Sequence, residues 1–196
     1  MTGGPVAGVV LAAGEGRRIG RPKALVVVAG ERLADQAVAT LRSGGCDPVL
    51  LVTGAAAVAV AGAHTVPNPG WRSGMASSLR VGLAALEAMP DPPDAAVVGL
   101  VDQPGIGPAV VRRLIGAYEA GARIAVATYG GHQRNPVLFA RAIWSEVAAS
   151  VTGDRGARDY LAAHADDVTE VECGDVADPA DLDTPDDVAA WGRRPR

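Results

Sequence analysis

Lysine is nearly absent from this chain. Of 18 basic residues among 196, Lys23 is the single lysine, and the rest are arginine. Cysteine is scarce too, with Cys46 and Cys173 far apart and no Cys-x-x-Cys pair. A disulfide scaffold is thereby excluded, and the three scattered histidines, His64, His132 and His164, offer no zinc-ligand spacing. This cysteine usage fits a reducing, cytoplasmic setting. Positive charge is not in excess, since 18 basic against 22 acidic residues leave a formal charge of −4. No basic field invites nucleic acid or an anionic membrane as a partner. No basic segment precedes the first apolar stretch, so a signal peptide is not expected. The uncharged run from Pro48 to Trp71 is long enough to span a bilayer. It is broken by Gly54, Gly62, His64, Pro67, Asn68 and Pro69, and reads instead as strand, short helix and loop.

What is present is ordinary globular composition, 48% apolar and 20% charged, with a length that suits one domain over 1–196. Apolar runs alternate with helical spacing. Strands are expected at Val6 to Ala13, Val49 to Val52, Ala95 to Val101, Ile124 to Ala127, Asn135 to Leu138 and Val168 to Val171. Between and after them, helices are expected at Ala34 to Leu41, Gly74 to Met89, Pro108 to Tyr118, Ala140 to Ser150, Ala157 to His164 and Pro185 to Trp191. The alternation predicts an α/β fold built from right-handed βαβ units around a mostly parallel sheet. In such sheets ligands bind beyond the carboxyl ends of the strands, so the residues just after each strand are the ones to read for chemistry.

The loop after the first strand runs Leu11-Ala12-Ala13-Gly14-Glu15-Gly16-Arg17-Arg18-Ile19-Gly20-Arg21-Pro22-Lys23. Small residues let its backbone approach a ligand, and successive N–H groups can cradle phosphates. Arg17, Arg18, Arg21 and Lys23 add positive charge against the net sign of the protein, which suits a triphosphate. Neither familiar phosphate motif is satisfied. The dinucleotide fingerprint needs glycine where Ile19 stands, and the Walker loop needs Ser or Thr after Lys23, where Ala24 stands. A dehydrogenase and a P-loop NTPase are both disfavoured. Asp102 follows a wholly apolar strand, where a carboxylate is costly unless it faces a site, the plain alternative being a helix cap. Asp183, in Asp181-Leu182-Asp183-Thr184-Pro185, stands before a helix that Asp181, Asp183 or Thr184 could each cap. The pair Asp186-Asp187 suits the helix dipole.

The loop resembles the signature of nucleotidyltransferases that activate sugar phosphates, lipid precursors and molybdopterin. More narrowly, the chain is similar to the molybdenum cofactor cytidylyltransferases. The resemblance continues through Asn68-Pro69-Gly70-Trp71-Arg72-Ser73-Gly74-Met75-Ala76-Ser77-Ser78, Asp102-Gln103-Pro104, Asn135-Pro136-Val137-Leu138-Phe139, Gly153-Asp154-Arg155-Gly156-Ala157-Arg158 and Asp183-Thr184-Pro185. It implies a three-layer, Rossmann-like nucleotide-diphospho-sugar transferase fold, and transfer of CMP from CTP to the phosphate of molybdopterin with Mg2+. On that resemblance, Lys23, Arg18 and Asp102 are the catalytic candidates. Leu11, Ala12, Ala13, Gly14, Gly16, Arg18, Lys23, Gly54, Asn68, Gly74 and Ser78 would hold the nucleotide. Asp102 and Asp183 would hold the metal, and the Arg155–Arg158 segment would receive the pterin phosphate. A molybdenum hydroxylase would be the client.

Two departures matter. Ile19 stands where the family usually has Met, a packing change, and Arg134 stands where it usually has Gly before Asn-Pro. Arg134 either narrows the acceptor pocket or adds a phosphate contact. Ala13 favours the cytidylyl branch over the guanylyl branch, whose loop usually reads Leu-Ala-Gly-Gly. The competing readings are the same fold acting with GTP or on another phosphorylated acceptor, a non-catalytic carrier of the molybdenum cofactor, and a dehydrogenase that NAD(P)H binding would reveal.

Overall fold

The computed structural model describes residues 4–194; the ends of the expected domain, 1–3 and 195–196, lie outside the described residues. In chain order the elements are β1 (Val6–Leu11), β2 (Val27–Val28), β3 (Glu31–Arg32), α1 (Leu33–Ser43), β4 (Val49–Thr53) and β5 (His64–Pro67). Next come α2 (Met75–Glu87), β6 (Ala95–Leu100), α3 (Pro108–Glu119), β7 (Ile124–Tyr129) and β8 (His132–Ala140). The last are α4 (Trp144–Ser150), α5 (Arg158–Ala163), β9 (Val168–Glu172) and α6 (Pro185–Gly192).

Seven strands form the main sheet in the order β5-β4-β1-β6-β8-β7-β9. Every neighbouring pair is parallel except those made by β8, which runs against both β6 and β7. Strand β1 is buried on both faces, which is why it is an unbroken apolar run. Val6, Val10 and Ala12 pack with Leu41 of α1 and Val110 of α3 on one side. Ala7, Val9 and Leu11 pack with Leu79 and Leu83 of α2 on the other, in a core shared with α4 and α5. Helices thus cover both faces of the sheet. The chain leaves β1 toward β4 and β5 and returns to the opposite side as β6, so the switch point of the sheet lies at the carboxyl ends of β1 and β6.

The Pro48–Trp71 run differs from expectation. Beyond β4 it contains no α-helix, only a 3-10 turn that opens at Trp71, and residues 54–63 are irregular. Val58 and Val60 are buried while Ala57 and Ala59 are exposed, a period of two that a helix cannot satisfy. The hydroxyl of Thr65 donates to Val58 O at 3.2 Å, and Arg32 reaches Ala59 O at 3.3 Å, holding the segment extended across the core. The chain then forms β5, an exposed edge strand ending in proline. The expected helix over Ala140 to Ser150 is shorter, because β8 runs to Ala140 and a 3-10 turn precedes α4. Among the described residues no helix is long and apolar enough to cross a membrane.

Candidate active site

Three segments meet at the switch point. The first is the loop after β1, which folds on itself. Ile19 N and Gly20 N both donate to Gly16 O, at 3.0 and 2.8 Å, and Lys23 N donates to Gly14 O at 3.3 Å. Gly16 has φ of 63°, and a Cβ there would lie 2.1 Å from Arg21 O, so this turn requires glycine. The result directs Lys23, in a 3-10 turn over Lys23–Leu25, into a cleft.

The second segment follows β6. Asp102 is not a helix cap, since α3 begins at Pro108 with Gly107 at its N-cap. The third approaches from the C-terminal part of the chain. Leu182 is buried in the core, and its N–H donates to Asp102 O at 2.9 Å. Burying a leucine stabilises by about 1.5–3 kcal/mol, enough to anchor the neighbouring residue beside Asp102. The cap of α6 falls to Thr184, whose hydroxyl accepts from Asp187 N at 3.2 Å, while Asp187 Oδ2 accepts from Thr184 N at 2.8 Å. That division of labour leaves the Asp183 carboxylate free to face the cleft.

The side chains then close on one another. Lys23 Nζ donates to Asp102 Oδ2 and, at 2.7 Å, to Asp183 Oδ1. Arg18 Nη2 lies 2.9 Å from Asp183 Oδ2. Burial alone would lower the Lys23 ammonium, but Asp102 first and Asp183 second outweigh it and hold it above the ordinary lysine value. The hydrogen bond from Lys23, opposed by burial and helped by Arg18, holds the Asp183 carboxyl below its ordinary value.

Around this centre the cleft has two lobes. The first, about 430 Å³, is walled by Leu11, Ala13, Gly14, Gly16, Lys23, Gly74, Ser78 and Asp102, with Trp71, Arg72 and Met75. The second, about 320 Å³, is walled by Lys23, Asp102 and Asp183 together with Gln133, Arg134, Asn135, Arg155 and Arg158. Lys23 and Asp102 belong to both. Four expected nucleotide residues stand off the walls. Ala12 is buried, and its N–H is bonded to Val52 O at 2.9 Å. Gly54 lies behind Trp71. Arg18 reaches the centre only through Asp183.

Asn68 is buried and hydrogen-bonded inside the protein. Its Nδ2 donates to Ser77 and Ser78 hydroxyls at 2.8 and 3.0 Å, and its Oδ1 accepts from Gly70 N at 2.9 Å. It pins the segment before α2.

Two further residues were not singled out from sequence. Asp154 lines both lobes and accepts from Met75 N at 3.3 Å, at the start of α2. Its turn is packed so closely that a Cβ on Gly74, where φ is 106°, would lie 2.4 Å from the Gly153 carbonyl. In the sequence, Arg155 and Arg158 beside Asp154 read as a solvated helix face, which gives the carboxylate no signal of its own. Gln103, beside Asp102, buries an Oε1 that has no partner among the described residues.

Asp102 and Asp183 fit a hard divalent cation. Their oxygens converge on one cationic nitrogen, and carboxylates completed by water and phosphate oxygens are the ligands such ions take. No cluster of three His, Cys, Asp or Glu side chains is present among the described residues, so the remaining ligands would come from substrate and water.

Known proteins share this fold. The crystal structure of Rv0371c from Mycobacterium tuberculosis H37Rv superposes with a TM-score of 0.81 at 30% identity, covering 98% of this chain and 100% of that one. A complex of Rv0371C with manganese from the same organism gives a TM-score of 0.75 at 28% identity, over 98% of this chain and 100% of that one. Nicotine blue oxidoreductase of Paenarthrobacter nicotinovorans is 38% identical over 193 residues, 91% of this chain and 92% of that protein. A probable molybdenum cofactor guanylyltransferase of Opitutus terrae is 51% identical over 47 residues, 24% of this chain and 23% of that protein. The MobA-like NTP transferase domain matches residues 8–168, and the chain belongs to that family of nucleotidyltransferases.

Proposed function

We propose that the protein transfers CMP from CTP to the phosphate of molybdopterin, releasing pyrophosphate and forming the cytosine dinucleotide of the cofactor. The observation that carries this reading is the Lys23–Asp102–Asp183 centre lying where the two lobes meet. A transfer reaction needs one charged centre shared by a donor pocket and an acceptor pocket. An oxygen of the acceptor phosphate attacks the α-phosphorus of CTP, and the bond to the bridging oxygen breaks. Pyrophosphate leaves with that electron pair. The attacking oxygen is already anionic, so no general base is required.

The work is positioning and charge stabilisation. The loop around Gly14 and Gly16 would hold the triphosphate. Lys23 and Arg18 would neutralise its charge as it lengthens toward pyrophosphate. Mg2+ held by Asp102 and Asp183 would supply further neutralisation at the phosphates, and the manganese complex of Rv0371C supports a divalent ion in this fold. The cytosine preference rests on Ala13 in the first lobe. GTP is the competing donor, which the short match to a probable guanylyltransferase favours. Incubation with CTP labelled at the α-phosphorus tests the reading: label should enter a pterin product, and label left wholly in CTP would contradict it.

A second reading has its own observation. The relative that matches 91% of this chain is named an oxidoreductase. The same phosphate-holding loop would serve the pyrophosphate of NAD(P)H, with an aromatic acceptor in the second lobe. The centre of one ammonium and two carboxylates has no task in hydride transfer, which is why nucleotidyl transfer comes first. Loss of NADH or NADPH absorbance, with no pyrophosphate formed, would reverse that order.

A further inference from the structure

The cations around the cleft are mostly neutralised by carboxylates. Arg17 pairs with Glu15, Arg18 with Asp183, Lys23 with Asp102 and Asp183, and Arg155 with Asp159. Arg72 in the first lobe lies over the Trp71 ring instead, and Arg134 and Arg158 stand in the second lobe. Among the described residues neither of the latter two forms an ion pair.

Arg134 owes its place to an irregularity in the sheet. Strand β8 pairs Val137 with Val126 of β7, yet pairs Arg134 with Ala127, so Asn135 and Pro136 are extra residues on the β8 side. A bulge of this kind bends its strand and re-aims neighbouring side chains, and bulges are frequent beside active sites. Just past it the strand is buried, with Val137 at 5% exposure, whereas Arg134 itself is exposed. Pairing with Ala127 fixes its backbone, so the side chain projects from a rigid support.

A guanidinium has five N–H donors in a planar fork, no acceptor, and a charge that does not titrate in the physiological range. Held in a cleft without a carboxylate of its own, such a group is matched by an anion offering two oxygens in one plane. We infer that Arg134 binds the phosphate of the acceptor substrate and makes this chain select a phosphomonoester over the dephosphorylated molecule. The inference deepens the transfer reading and rests on it, since that phosphate must also reach Lys23 and Asp102 at the junction of the lobes.

Arg134→Gln and Arg134→Lys test it, with molybdopterin as probe. Direct binding of molybdopterin is measured first, then steady-state transfer from CTP. Arg134→Gln should weaken molybdopterin binding and raise its KM about tenfold to a hundredfold, the cost of a lost charge-assisted pair. The KM for CTP and the thermal midpoint should stay unchanged, and Arg134→Lys should fall between. Inorganic phosphate should compete with molybdopterin in the wild type and less so in Arg134→Gln. Undiminished binding in Arg134→Gln, or no binding by the wild type, overturns the assignment. Binding that depends on Arg134 without any transfer would overturn the reaction and leave the assignment standing.

Discussion

Lys23 Nζ lies 2.7 Å from Asp183 Oδ1 while it also donates to Asp102, so one ammonium occupies the point where both carboxylates converge. With Arg18 on the other oxygen of Asp183, two positive and two negative groups neutralise one another. A divalent ion arriving alone must break these pairs and leave the cations uncompensated. Arriving with a triphosphate, it can take the carboxylates while Lys23 and Arg18 pass to the phosphates.

Manganese alone should therefore bind weakly, and CTP should strengthen its binding, as read from the spectrum of the free ion by electron paramagnetic resonance. Lys23→Met should bind manganese without nucleotide at least tenfold more tightly than the wild type, since a neighbouring like charge is worth about one pKa-sized step. The same variant should lose roughly 10²–10³ in turnover, the usual cost of one charge-stabilising donor. Equal manganese affinity in both proteins would contradict the exchange.

Gly16→Ala probes the loop. The added methyl meets Arg21 O at 2.1 Å in a backbone with φ of 63°, so the turn that directs Lys23 inward must open. The KM for the nucleotide should rise by an order of magnitude or more, given that a displacement of about 1 Å can cost a hundredfold. The KM for the acceptor should move less.

Thr184→Ala removes the cap of α6 and frees Asp187, which now holds the N–H groups of Asp183 and Thr184. Urea unfolding should show a loss of about 0.5–2 kcal/mol. A lower turnover should accompany it, because the Asp187 carboxylate that accepts from Asp183 N loses its tie to the Thr184 hydroxyl.

Glu172 gives a pH signature. Its carboxylate accepts from Gly174 N at 2.8 Å, Gly130 N at 3.3 Å and Thr128 Oγ1 at 3.1 Å. The Gly174 N–H foremost, with burial opposing and Gly130 and Thr128 adding, holds this carboxyl below its ordinary value. Stability from a lowered carboxyl is present above the unfolded value of about 4.3 and is lost as pH falls through the folded one. Glu172→Gln should be less stable than the wild type at neutral pH, and the gap should close below about pH 4. A gap independent of pH would contradict this.

The main strands were legible because a strand buried on both faces must be apolar throughout, as β1 and β6 are. Both end where such a sheet binds its ligands, and the loop carrying Lys23 and the residue Asp102 follow them in the chain. Strand β5 was not legible: its residues are largely exposed, it ends in Pro67, and it borrows its pairing from β4. Strands β2 and β3 have two residues each, too few to carry a pattern. The resemblance put Asn68 at the nucleotide, and only the fold shows its amide bonded to Ser77, Ser78 and Gly70. The sequence leaves Asp183 open between cap and ligand; the fold gives the cap to Thr184 and Asp187.

The central claim is nucleotidyl transfer at the Lys23–Asp102–Asp183 centre. Its most direct test is pyrophosphate release with Mg2+ and molybdopterin, supplying each of the four nucleoside triphosphates in turn, with NADH and NADPH oxidation followed in parallel. Release with CTP, abolished in Asp102→Ala, is the predicted result. Release with GTP alone would keep the chemistry and change the donor. No release with any triphosphate, alongside oxidation of NADH or NADPH, would contradict the account.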